Sequence, residues 1–152
     1  MTVNAFDAKY LEVIAPAAIK DDGAYTTVEI DTLGFDYAEV IFHIGATDIA
    51  IATLAMQQSS TSGNGFADIT GLIVGTSADI DGTTTVLPSA TDDNTLVIFQ
   101  IDLRDKERYL DLSATAGDGT AGTFASAICR LSRAAIQPNT VAEFGGGDVL
   151  RA

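Results

Sequence analysis

Tryptophan is absent from this 152-residue chain, and cysteine and histidine occur once each. A lone cysteine, Cys129, excludes an intramolecular disulfide and any zinc site built on several cysteines. It lies in the apolar run Ala127-Ile128-Cys129-Arg130-Leu131, where a buried, inert thiol is expected. A lone histidine, His43, excludes multi-histidine metal sites and leaves one candidate base for a Ser-His-Asp or Cys-His arrangement. No G-x-S-x-G elbow accompanies it, and its position mid-strand speaks against that role. No phosphate loop of the G-x-x-x-x-G-K-[ST] type is present either.

Positive charge is also scarce. Eight Lys and Arg face 21 Asp and Glu, for a net charge of −13. Such a surface repels polyphosphate and anionic lipid, so neither nucleic acid nor membrane is expected as a partner. No run approaches the roughly 18 apolar residues a spanning helix needs. Residues 1–7 lack a basic region followed by an apolar stretch, so no signal peptide is expected and synthesis is placed in a cytoplasm.

The basic residues that do occur are clustered. Arg104, Lys106, Arg108, Arg130 and Arg133 share one short span. They form either a docking patch for an acidic partner or an internal ion-pair cluster with Asp102, Asp105, Glu107 and Asp111.

What the sequence has in quantity is short alternating apolar runs separated by turn residues. At this length one domain is expected, large enough to bury roughly 70% of its unfolded surface. Strands are read at 10–14, 25–31, 37–44, 49–57, 66–74, 83–87, 95–103 and 108–114. In 25–31, Val28 and Ile30 are expected on one face. Residues 123–133 satisfy both a helical spacing (Phe124, Ile128, Leu131) and a period of two (Ala125, Ala127, Cys129, Leu131). Their place after the glycine loop favours a strand. The fold class is therefore all-β: a single β-sandwich or jelly roll of about eight strands over residues 17–135. Residues 1–16 form an N-terminal arm with a first extended segment. Residues 136–152 form a Gly-rich tail, either frayed or ordered against a neighbour.

Three motifs invite chemistry. Gly117-Asp118-Gly119-Thr120-Ala121-Gly122 is a literal G-x-G-x-x-G, but too little chain follows to complete a dinucleotide-binding crossover, so it is read as a loop. Asp79-Ile80-Asp81-Gly82 and Asp92-Asp93-Asn94 resemble pieces of calcium loops without the closing bidentate Glu. The many carboxylates supply pairs for a small hydrolase, an alternative weakened by the lack of Trp platforms for sugars. No cofactor, metal or catalytic residue is assigned, and no enzyme is expected.

From Gly23 onward the order of features is familiar. Residues 26–36 lead into Ala38-Glu39-Val40-Ile41-Phe42, followed by Gln57-Gln58-Ser59, Gly65-Phe66, residues 95–103, Arg108-Tyr109-Leu110 and the small-residue run 122–127. This pattern, over about residues 23–133, resembles the small β-sandwich head decoration, or cement, proteins of tailed bacteriophages. The resemblance implies a structural virion protein on the outer head surface. It would bind the major capsid protein and itself, as a homo-oligomer, with a trimer placed before a dimer. Expected partner contacts are Phe6, Lys9 and Tyr10 in the arm and Arg104, Lys106 and Arg108 in the basic cluster. The rival reading is a carbohydrate-binding or adhesin module of a tail or surface structure.

Overall fold

A computed structural model describes residues 7–17 and 19–150. Among the described residues the alternating runs fold into nine strands: β1 (Lys9–Ile14), β2 (Gly23–Ala24), β3 (Ile30–Asp31), β4 (Phe35–Thr47), β5 (Thr53–Ser59), β6 (Ala67–Ile73), β7 (Leu96–Asp102), β8 (Tyr109–Ala116) and β9 (Thr123–Ala134). A short 3₁₀ turn, Leu103–Asp105, follows β7, and one helical turn, α1 (Val141–Phe144), lies near the C-terminus. The strands form two antiparallel sheets. One has the order β1-β9-β4-β7; the other has the order β2-β8-β5-β6, with β3 also on β8. The protein is an all-β sandwich.

The core follows the period of two. On β4, Ala38, Val40, Phe42 and Ile44 are fully buried. They meet Leu54 and Met56 of β5 and Leu110, Leu112 and Ala114 of β8 in one cluster. On β9, Ala125, Ala127, Cys129 and Leu131 are buried, while Phe124 and Ile128 are exposed. The ambiguous segment is thus a strand, and its helical spacing is incidental. Small residues on this inward face leave room for Phe42, whose ring meets Tyr25 edge-on with centroids 6.4 Å apart.

Two strand expectations need correction. Residues 25–31 do not run as one strand. Tyr25 donates its N–H to Ala114 on β8, Val28 donates to Val13 on β1, and the chain returns to β8 at Ile30. The segment crosses from one sheet to the other, so Val28 is exposed while Ile30 is fully buried. Residues 83–87 are likewise no strand. They fold back on Ser77–Asp79 through Asp79 N–H to Thr83 and Thr85 N–H to Ser77, with a single bridge at Ala78 and Thr84.

The tail is built against the domain. Thr140 and Glu143 cap α1 reciprocally, a capping box that satisfies two otherwise orphaned donors. Gly145 ends the turn with φ of 79°, and its Cα lies so close to the Tyr10 carbonyl that a Cβ would overlap it. Phe144 is buried.

Candidate functional site

The two sides of the sandwich differ. On one side the crossing segment sews the sheets together: besides the bonds of Tyr25 and Val28, the Tyr25 hydroxyl donates to the Thr123 carbonyl at 3.0 Å, and Lys20 bridges to Thr123. On the other side β6 and β7, the last strands of their sheets, face each other across a groove. Two adjoining hollows of about 580 and 450 Å³ fill it, lined by Ile69, Leu72, Val74, Val97, Phe99 and Ile101 among others.

The free edge of β7 follows from its register. Ile44 N–H bonds the Thr95 carbonyl, and the β4–β7 pairing then holds a constant register from His43↔Leu96 to Tyr37↔Asp102. In an antiparallel ladder every second residue bonds the neighbour. Val97, Phe99 and Ile101 therefore bond β4, and the backbone N–H and C=O of Leu96, Ile98 and Gln100 point away from the sheet. Among the described residues no strand pairs with this edge. Proteins usually blunt such an edge with Lys, Pro or a bulge. β7 has none of these along its length, and its one charge is Asp102 at the end.

Two of the other edges, β6 and β1, are protected. β6 carries a register shift and Gly71 at φ of 90°. β1 is covered where Gly145 meets Tyr10 and where Val28 bonds Val13.

Beside the bare edge runs an apolar row on the outer face of the four-stranded sheet. Ile128 of β9, Ile41 of β4 and Ile98 of β7 are directly opposed across three strands. Ile98 and Ile128 are 53% and 47% exposed, so about half of each side chain is left in water. Leu96, 55% exposed, extends the patch along β7. His43 lies on this face between Leu96 and Ser126 and is exposed, away from the buried core.

Charge is divided between the two ends of the sandwich. One end gathers Asp21, Asp22, Asp48, Asp92, Asp93 and Asp118, with Lys20 nearby. The opposite end holds Lys9, Arg104, Lys106, Arg108 and Arg133 among acids. Three of these cations are internally engaged. Arg104 grips Asp102, with Nε to Oδ1 at 2.8 Å, holding that carboxyl below the usual range. Lys106 meets Asp105 at 2.6 Å. Arg108 makes a two-pronged pair with Asp31 at 2.8 and 2.7 Å and stacks on the Tyr109 ring. These are separate ion pairs within the chain, and two of them use Asp102 and Asp105, acids that the internal reading named. For Arg108, however, the partner is Asp31, far away in sequence, and not the nearby Glu107 or Asp111.

The described expected partner contacts fall into three places. Lys9 and Tyr10 lie on β1, one edge of the four-stranded sheet; Arg104 and Lys106 follow β7, the other edge. Arg108 and its Asp31 sit where β3 meets β8 in the second sheet. Phe6 lies outside the described residues. Tyr10 opposes Arg130, which in turn pairs with Glu39 at 3.2 Å.

The G-x-G-x-x-G loop is occupied by the protein itself. The Asp48 carboxylate accepts N–H bonds from Thr120 and Ala121 at 2.6 Å each and from Gly122 at 3.1 Å, while Asp21 accepts from Gly119 at 2.8 Å. Its donors are the kind a phosphate would use. The acidic turns behave similarly: Asp79 accepts from Asp81 and Thr83, and Asp92 from Ser89. Among the described residues no three His, Cys, Asp or Glu side chains converge as a metal site. Nor is any helix there long and apolar enough to cross a membrane. Burial pushes the Cys129 thiol up to about 12, leaving it protonated at neutral pH.

The class defined by this geometry is a two-sheet β-sandwich with one closed side and one bare edge. The chain matches no family model, and no curated protein matches it significantly in sequence.

Proposed function

We propose that the protein is a structural component of a phage virion that binds the outside of the capsid and stabilises the head lattice. One observation carries this reading: an acidic sandwich, closed on one side by its own chain, keeps an apolar strand edge and a cation-bearing end exposed. Such a body is suited to gripping neighbours. Its acidic loops, by contrast, spend their carboxylates on their own backbone. The resemblance in the order of turns and strands supplies the kind of neighbour, a capsid protein.

The capsid contact is assigned to the mixed-charge end, with Lys9, Tyr10, Arg104, Lys106 and Arg108, and to Phe6. A clip that binds only the expanded lattice stabilises it by mass action, and repetition over the shell multiplies modest contacts. Exposed ion pairs of this kind contribute little to folding, so their cations can exchange a carboxylate of this chain for one of a partner at small cost.

The test is co-sedimentation with expanded, undecorated heads of the cognate phage. Saturation at a ratio set by the lattice is expected, and Arg104→Glu combined with Lys106→Glu weakens it. Failure of the unaltered protein to bind these heads would overturn the proposal.

A further inference from the structure

We propose that two copies of this chain pair through their β7 strands, edge to edge and antiparallel about a two-fold axis at Ile98. The four-stranded sheets then join into one continuous sheet. The strand edge it uses, Leu96–Gln100, is separate from the residues assigned to the capsid, although Arg104 and Lys106 directly after β7 adjoin both.

Three observations select a second copy as the occupant. First, the backbone groups of Leu96, Ile98 and Gln100 are all directed at the free edge, so an antiparallel copy offers the same donors and acceptors in return. The same patch is used on both subunits, as a two-fold requires. Second, the axis sets Ile98 opposite Ile98 of the second copy. The row Ile128-Ile41-Ile98 then continues into its own image, and Ile98, now half in water, gains its counterpart as a cross-strand neighbour.

Third, charge complements itself in this direction. Upstream of β7 lie Asp92 and Asp93; downstream lie Arg104 and Lys106. Antiparallel pairing sets Asp102 against Asn94 and brings Arg104 towards Asp92 of the second copy. Parallel pairing would set acid against acid. In a protein of net charge −13, the strand Leu96–Gln100 carries no charge, so two copies can approach there with the least repulsion. A closed two-fold contact of this type yields a dimer, not the trimer that the family resemblance suggests first.

The pairing is tested on the full chain by sedimentation velocity over a concentration series. A species of about twice 15.8 kDa is expected. Ile98→Lys sets two ammonium groups face to face and weakens the dimer by about 100-fold, with an unchanged circular dichroism spectrum. Ile98→Cys adds an accessible thiol at the axis, where opposed Cα atoms are about 5.5 Å apart, within disulfide reach. It forms a disulfide-linked dimer on mild oxidation. Gln100→Cys, displaced from the axis, does not. The inference is overturned if the unaltered protein stays monomeric at about 100 µM, far above the dissociation constant of a specific dimer. A dimer that ignores Ile98→Lys also refutes it, as does faster cross-linking at 100 than at 98.

Discussion

Asp48 accepts the backbone N–H of Ala121 at 2.6 Å, although 72 residues lie between them. With Thr120 and Gly122 as further donors, this carboxylate ties the β4–β5 connection to the glycine loop that precedes β9. Gly119 and Gly122 are required there because a side chain at 119 would strike Asp48, and one at 122 would strike Ile19 and Lys20.

Replacing Asp48 by Ala leaves three N–H groups without their acceptor. Amide exchange at Thr120, Ala121 and Gly122 is expected to accelerate, while exchange in β4 is unchanged. The bonds from Ala121 and Thr120 hold the Asp48 carboxyl below its ordinary value of 3.8. A carboxyl lowered in the native state stabilises the fold above its unfolded value and loses that contribution as pH falls through the native one. Loop protection is therefore retained at pH 5 and lost at strongly acid pH, read by exchange mass spectrometry.

Alkaline pH acts in the opposite sense. Burial raises Cys129 from 9.0 and Tyr25 from 10.0, each to about 12. Both are neutral acids in the folded chain and ionise first when unfolded. Their contribution is intact below pH 9 and declines as pH climbs through the native values near 12. Denaturant midpoints are expected to fall from pH 9 upward. A thiol reagent at pH 8 labels Cys129 only as fast as the protein opens; immediate labelling would contradict its burial.

Docking of the tail depends on two adjacent residues. Phe144→Ala removes the buried ring, and Gly145→Ala forces a methyl into the Tyr10 carbonyl at a left-handed φ. Either change is expected to release residues 136–150 to limited proteolysis while the sandwich stays folded. Its stability is expected to drop by about 1–3 kcal/mol.

Phe42 is the largest fully buried side chain. Phe42→Ala leaves a cavity between the sheets and is expected to cost about 3–5 kcal/mol. That corresponds to a melting temperature lower by roughly 6–20 °C, measurable by calorimetry.

Much of the sandwich was legible locally. The run from Leu96 to Asp102 reads as a strand, and Gln100 and Asp102 alternating with Phe99 and Ile101 mark its inward face. β9 was harder, since Leu131 fits both periods; burial of Ala125 and Ala127 against the opposite sheet decides it. The run 25–31 misled because its alternation is genuine, yet two of its donors bond strands in different sheets. Among the site residues, Arg104, Lys106 and Arg108 stood out by clustering. The bare edge of β7 had no local signal, because an edge is defined by which strand is missing beside it.

By itself, then, the order of residues determined an acidic, all-β body with an inert thiol. Solvent sorts apolar from polar groups at a spacing any short segment already displays. Strand order decided the remainder: which side the chain closes, that Asp31 and not Glu107 holds Arg108, that Asp48 fills the glycine loop, and that β7 is left without a neighbour. Those contacts join residues tens of positions apart, so only the folded chain brings their donors and acceptors within bonding distance.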